Sequence, residues 1–379
     1  MRTVTLAVTF GFVLSLPALA AAKTINVSPG GSIQAAVDAA APGDTIQVKP
    51  GTYHEAGVPC PSDASSTCAV AVTKDGISIV GQGGGAVILE NAGSQDRGIE
   101  VAKSGAEGAS CLTDATHRVN GSLIRGMTVN GFGDYGIFLL CVDNWTVSGC
   151  SANDNAEYAI FPSHCGAGRV TGNVATGAND TGLYIGQSHD VRIDHNLATG
   201  NVSGYEIENA TRVRCDHNTA IGNTGGILSF TLPGLDVTSN SDNRIDHNLV
   251  RDNNKANTCL NPGDDVCNVP VGTGILLLAV DANQVDHNQV LDNDSFGIAV
   301  ANFCLGNHLP PGCTGGAIDE DPNDDVVTQN TVFGNGGNVD PKVDPVFAVD
   351  LAWDTSGTGN CWSHNKHGTE FPSPLPTCH

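Results

Sequence analysis

The stretch RIDHN occurs twice, at Arg192 to Asn196 and at Arg244 to Asn248, with near-copies RCDHN at Arg214 to Asn218 and QVDHN at Gln284 to Asn288. Aligning the last Asn of each copy with its equivalents gives Met127, Cys150, Asn173, Asn196, Asn218, Asn248, Asn288 and Asn330, in steps of 23, 23, 23, 22, 30, 40 and 42 residues. A second Asn follows five residues later in most turns, at Asn155, Asn201, Asn223, Asn253, Asn293 and Asn335. A third landmark is a small residue opening an apolar-x-apolar run, at Gly136, Ala159, Gly182, Gly204, Gly226, Gly274 and Gly297. A repeat of this length with short alternating strands marks stacked coils, and about three strands per coil give a parallel β-helix. Equivalent residues then stack about 4.8 Å apart, so an Asn at a fixed turn position can bond its copy above and below.

The DHN tripeptide looks like a metal site written four times, but the spacing favours architecture. Ile193, Cys215, Ile245 and Val285 take the inward position, which turns Asp194, Asp216, Asp246 and Asp286 outward. His195, His217, His247 and His287 then line a turn ridge. A column along the axis does not converge on one point, so a solvated surface ladder is expected.

Composition agrees with a strand-rich solenoid. Of 379 residues 40% are hydrophobic, only 5% are aromatic, and 47 are glycine, a residue that with Asn and Asp supplies the positive φ of tight turns. Long helices are not expected. Seventeen Lys plus Arg against 40 Asp plus Glu give a net charge of −23, which excludes nucleic acid and anionic membrane surfaces as partners. Calcium suits such a surface.

The opening MRTVTLAVTFGFVLSLPALAAAK reads as a signal peptide over residues 1–22, with cleavage near Ala20 to Ala22. No stretch is long enough to span a membrane as a helix. A secreted or periplasmic monomer is expected, with one β-helix domain over residues 23–379 and a closing cap from about residue 350. Thirteen cysteines in an exported chain imply disulfides, and four pairs are close in sequence: Cys60 with Cys68, Cys259 with Cys267, Cys304 with Cys313, and Cys361 with Cys378. The odd total leaves at least one thiol free.

The segment SIQAAVDAAAPGDTIQVKPGTYHE (Ser32 to Glu55) resembles the start of many pectin-lyase-like β-helix proteins, where an amphipathic helix caps the first coil. YAIFPSHC, DTGLYIGQSHDV, NVSGYEIENA, NTGGILSFTLPGL and VPVGTGILLL resemble a family of exported bacterial parallel β-helix repeat proteins, over about Ser32 to Asn302. GNCWSHNKHGTEFPSPLPTC resembles a disulfide-closed cap. These resemblances imply an all-β, right-handed parallel β-helix of about ten coils, with no assigned activity. Tyr158, Pro162 and His164 also resemble a motif of mannuronan C5-epimerases, with Phe161 or Ser163 standing where that motif carries its catalytic Asp.

All the residues that lengthen later coils fall immediately before or after the Gly-led strand, so the working groove should lie over it. Counting from the common Gly, the inward residues are Leu183, Tyr205 and Ile227, then Ile185, Ile207 and Ser229. The outward column is Phe138, Phe161, Tyr184, Glu206 and Leu228, flanked by Leu140, Ser163, Gly186, Glu208 and Phe230. Tyr184, Glu206, Glu208 and His164 are the candidate catalytic groups; Phe161, Gln187, Asn209 and Phe230 are candidate substrate contacts; Glu206 and Glu208 are candidate calcium ligands. Uronate lyases and epimerases need a base, a proton donor and a partner for the substrate carboxylate. The outward columns hold no Lys or Arg. Extracellular polysaccharide is the expected partner, engaged by a lyase or C5-epimerase, less readily by a glycosidase using the Glu pair; a non-catalytic binding or assembly protein is the alternative.

Overall fold

A computed structural model describes residues 21–379. The expected signal peptide falls, but for its last two residues, outside them. The chain winds through three parallel sheets of 12, 11 and 12 strands, each sheet built by pairing a strand with its equivalent in the next coil. One coil shows the pattern: Thr181–Gly186 lies in the third sheet, His189–Asp194 in the first, Leu197–Thr199 in the second, and Ser203–Glu208 returns to the third. Among the described residues the longest helix, Ile33–Ala39, has 7 residues. Ser32 caps it by accepting from the Ala35 amide at 3.0 Å, and Ile33 and Val37 close the first coil.

Alternation decides what goes inside. Val147, Val170, Ile193, Cys215, Ile245 and Val285 stack in register on the first sheet and are at most 1% exposed. Each such aliphatic contributes about 1.5–3 kcal/mol of transfer free energy. The polar Asn ladder runs beside this column and is equally buried. Asn173, Asn196, Asn218, Asn248, Asn288, Asn330 and Asn365 pass one amide hydrogen bond from rung to rung at 3.0–3.1 Å. The second ladder, Asn201 to Asn223, Asn253, Asn293 and Asn335, does the same at 2.9–3.0 Å and ends on Asp350. A third ladder was not read from the sequence: Asn243, Asn283, Asp325 and Asn360 each accept the backbone N–H of the rung before, at 2.8–2.9 Å.

The outward Asp residues correct the expectation of a solvated ladder. Asp194, Asp216 and Asp246 are wholly buried and Asp286 nearly so. Each lies under a two-toothed guanidinium from the preceding coil: Arg169 on Asp194, Arg192 on Asp216, Arg214 on Asp246 and Arg244 on Asp286, at 2.7–3.0 Å. Burial pushes the Asp216, Asp246 and Asp286 carboxyls up, but the Arg and His hydrogen bonds outweigh it and hold all three below the usual range.

All four expected disulfides form, and a fifth joins Cys111 to Cys141. Cys150, Cys165 and Cys215 are free and buried, and burial pushes the Cys150 thiol up to about 11 and that of Cys165 up to about 12. They are inert core residues.

Asn248→Ala tests the ladder. It removes the amide that bonds Cys215 O at 2.8 Å and Asn288 Oδ1 at 3.0 Å, and the oxygen that accepts from Asn218. Thermal and urea unfolding should show a loss of about 2–4 kcal/mol. Exposed Gln289→Ala should lose less than about 0.5 kcal/mol, and equal losses would refute the ladder's role.

Candidate functional site

The register places the groove floor as alternation requires. Tyr184 stands beside Glu206 and Gly186 beside Glu208, while the next coil sets Leu228 and Phe230 against the same two carboxylates. Tyr184 reaches Glu208, not its direct neighbour, and donates from Oη to Oε2 in a short hydrogen bond. Gly186 permits this: a Cβ there would come within 2.0 Å of Tyr184 Oη, so the ring folds back over the bare backbone. Gly182, Gly204 and Gly226 serve the other end of the strand, where a Cβ would meet the second Asn ladder or a neighbouring carbonyl at 2.6–3.1 Å.

The insertions build walls as expected. Leu232, Val266, Val269, Phe303 and Phe347 come from the lengthened loops and help enclose a groove of about 1210 Å³ over the third sheet. The floor is therefore deeper than the sequence implied, with Tyr184 5%, Glu206 4% and Glu208 8% exposed. At its amino-terminal end the rings of Tyr158 and Phe161 stack at 4.3 Å, with Tyr184 edge-on to Phe161 at 4.6 Å. Arg97 closes that end over Tyr135 and Phe138, its charge taken by Glu100 at 2.6 Å.

The carboxyls here differ from those of the first sheet in having no guanidinium above them. Burial pushes Glu206 and Glu208 up to about 7, the latter against the lowering effect of the Tyr184 hydrogen bond. Asp180, held by Thr181 Oγ1 at 2.9 Å, is raised well above the usual carboxylate range by burial and by the Glu206 charge. Burial and the facing carboxyls keep Tyr158 and Tyr184 protonated far above the usual phenol range. Glu157 and Asp265 on the walls are also raised, first by burial. The site is a set of protonatable acids beside two phenols.

Not every expected residue joins it. Tyr184, Glu206, Glu208, Phe161 and Phe230 line one groove. Gln187 reaches its edge, but its Oε1 accepts the Asp236 amide at 2.9 Å and the Val237 amide at 3.3 Å. Asn209 accepts from Leu232 N and donates to the Leu232 and Val237 carbonyls. Asn209 is taken up in fastening the 232–237 loop, whereas Gln187 fastens the same loop through its Oε1 while still lining the groove. His164 lies outside the groove, 5% exposed, with Nδ1 on Ser163 Oγ at 2.9 Å and Nε2 on Asp236 at 3.1 Å. A Cβ on Gly108 would strike its ring at 2.3 Å. Burial lowers its pKa against the raising effect of Asp236. Asp180 was missed because it precedes the Gly landmark, and carrying the outward column two residues upstream would have found it; Tyr135 and Tyr158 stand one residue before the landmark, on the inward parity, so alternation does not reveal them as lining residues, and Tyr158 was read only as part of a motif resemblance.

Glu206 and Glu208 are the expected calcium ligands. Ca²⁺ takes six to eight oxygens. Among the described residues neither Glu206 nor Glu208 belongs to a trio of ligating side chains, and one Glu208 oxygen is held by Tyr184.

The family described as right handed beta helix region matches residues 74–232 and 135–310. No protein of curated function matches in sequence. Among solved structures, the Azotobacter vinelandii mannuronan C-5 epimerase AlgE6 A-module is similar at 16% identity and TM-score 0.62, covering 91% of this chain and 92% of that one. The periplasmic alginate epimerase AlgG is similar at 14% and 0.59, covering 92% and 73%. The Dettilon tailspike protein is similar at 15% and 0.57, covering 91% and 68%. At these identities the likeness is one of fold. It agrees with the three parallel sheets.

The raised Glu pKa has a stability consequence. A buried Glu with a folded pKa of about 7, above its unfolded value of about 4.3, holds its proton more tightly when folded. Its contribution is therefore present below about pH 4 and is lost as pH rises through about 7. Glu206→Gln should be stabilised relative to the parent at about pH 8, by about 1–3 kcal/mol, and not at about pH 4. Melting curves at both values decide it; a pH-independent difference would refute the raised pKa.

Proposed function

We propose that this chain, which belongs to the right-handed β-helix family, holds an extracellular polysaccharide in the groove over its third sheet and moves a proton on it as a uronate lyase or C5-epimerase. The observation that carries the reading is the Tyr184 to Glu208 hydrogen bond beside two further protonatable carboxyls, Glu206 and Asp180. The enclosing groove, the aromatic floor and the alginate epimerases among the fold's neighbours support a glycan as the ligand. The five disulfides support an oxidising compartment outside the cytosol.

Each requirement of C5 chemistry has a candidate here. Glu208, raised by burial to about 7 and bonded by Tyr184, is the candidate base that accepts the C5 proton directly or through Tyr184. Tyr184 stays protonated and can donate. The floor strands Thr181–Gly186, Ser203–Glu208 and Gly225–Phe230 carry no Lys or Arg, so the groups available to a substrate carboxylate are Asp180 and Glu206, whose carboxyls burial raises toward the protonated form, and Lys342 on the groove wall. A neutral carboxyl donates one hydrogen bond to a uronate without repelling it. If the proton removed from C5 is balanced by protonation of the departing glycosidic oxygen, the C4–O bond breaks and an unsaturated uronate results. If a proton returns to C5 from the other face, the product is the epimer.

The test is a panel of polyuronates, glycosaminoglycans and neutral glycans, with calcium and with chelator. Ultraviolet absorbance reports elimination, proton NMR reports C5 inversion, and reducing ends report hydrolysis. Tyr184→Phe and Glu208→Gln should lower kcat by about 10²–10⁴ while leaving glycan affinity within a few fold. Gly186→Ala, which pushes Tyr184 off Glu208, should reproduce the loss. Reducing ends without absorbance or inversion would replace the reading by glycoside hydrolysis. Affinity without any product would leave a binding protein, and no affinity for any glycan would refute the groove.

A further inference from the structure

We propose that the ridge formed by His195, His217, His247 and His287 binds divalent transition-metal ions of the zinc, nickel and copper class, each ion held by the Nε2 atoms of two neighbouring rings. The proposal is independent of the groove.

The backbone does not ask for histidine at these positions. The residue before each ladder Asn is left-handed throughout, with φ of 66°, 59° and 66° at Gly126, Gly149 and Gly172, then 57°, 56°, 56° and 56° at His195, His217, His247 and His287. Glycine adopts this region without strain, whereas a side chain with a Cβ does so at a cost. Four successive coils exchange the comfortable residue for the same uncomfortable one. Gln329 takes the same position at φ 57° in the next coil and His364 at 56° in the one after, so the turn accepts other side chains, and what distinguishes the four histidines is that one ring type repeats in consecutive coils to make a continuous imidazole column.

The neighbours of each ring prepare it as a ligand. Nδ1 of each histidine lies 2.7–2.9 Å from the carboxylate of the Asp before it. That carboxylate is clamped by an arginine and so can only accept, which places the ring hydrogen on Nδ1. Nε2 is then left with its lone pair free, and among the described residues no protein group bonds it. A carboxylate behind the far nitrogen is how metal-binding imidazoles are oriented and made more basic. Here the arrangement is repeated four times with identical geometry.

The rings present these lone pairs together. Successive centroids are 5.1, 5.0 and 4.8 Å apart and the planes are within 7° of parallel. The side chains are 42–61% exposed, so they are reachable and free to tilt. With metal–nitrogen bonds of about 2.0–2.1 Å and tetrahedral angles, two Nε2 atoms on one ion stand about 3.4 Å apart. The rings of the closest pair, His247 and His287, have centroids 4.8 Å apart and planes within 2° of parallel, so these two exposed side chains must tilt toward each other by about 1.4 Å for their in-plane lone pairs to converge. Binding should begin there. The column cannot bring three rings to one point, so each ion takes two histidines and completes its shell with water. Imidazole selects zinc, copper and nickel over calcium and magnesium, and the chain's charge of −23 favours any cation.

The experiment uses the full mature chain without a histidine tag, stripped with chelator and titrated calorimetrically with zinc chloride or nickel chloride. Saturable binding of one or two ions is expected, with calcium giving none at the ridge. Combining His247→Asn with His287→Asn should weaken the tightest site at least tenfold, since Asn tolerates the left-handed turn. His54→Gln, outside the ladder, should change nothing. The second measurement needs no variant: diethylpyrocarbonate, mapped by peptide mass spectrometry, should modify the four ladder histidines in chelator and spare His247 and His287 in zinc. Unchanged affinity in the double variant, absence of saturable binding, or equal modification with and without zinc would each overturn the proposal.

Discussion

A buried asparagine amide that bonds in both directions along the axis holds each coil of this solenoid to the next. The oxygen accepts from the rung before and the nitrogen donates to the rung after, so neither can be lost without stranding a buried partner. The ladder cares about the turn and is indifferent to chain length elsewhere. Steps between rungs grow from 22 to 42 residues with the amide distance unchanged at 3.0 Å. Every insertion is therefore displaced to the ends of the third-sheet strand, and the groove is a consequence of where the ladder forbids change.

What could be read from the sequence follows from the range of each interaction. The Asn rungs, the inward aliphatics and the outward floor are fixed by period and alternation, which are local properties. Four disulfides close loops of 8, 8, 9 and 17 residues and were legible, whereas Cys111 and Cys141 meet across 30 residues and were not. Asp194 and its equivalents were placed on the correct face but given the wrong surroundings. Their arginines come from the preceding coil, 24 to 42 residues away, and alternation along one strand does not reveal a partner in another.

The site was legible to the same degree. Tyr184, Glu206 and Glu208 follow from strand parity alone. That Tyr184 bonds Glu208 depends on Gly186 leaving room for a ring, a packing fact that no pattern of apolar and polar residues encodes. The loss of His164, Gln187 and Asn209 from the floor has a common cause. All three stand at the strand end with positive φ, where the chain turns away and incoming loops must be anchored. Their polar groups meet backbone, serine and Asp236 instead of open groove.

Stacking also decides what a carboxylate becomes. On the first sheet the column beside each Asp is arginine, so burial is compensated within one coil and the acid is held ionised. On the third sheet the residues beside Glu206 are Tyr184 and Leu228, and those beside Glu208 are Gly186 and Phe230. No charge is supplied, so the same degree of burial raises the acid toward neutrality. Two sheets of one solenoid thus turn the same residue class into a fixed strut and into a group able to exchange a proton. The difference lies in the column of neighbours one coil before and after, which is where a parallel β-helix stores its chemistry.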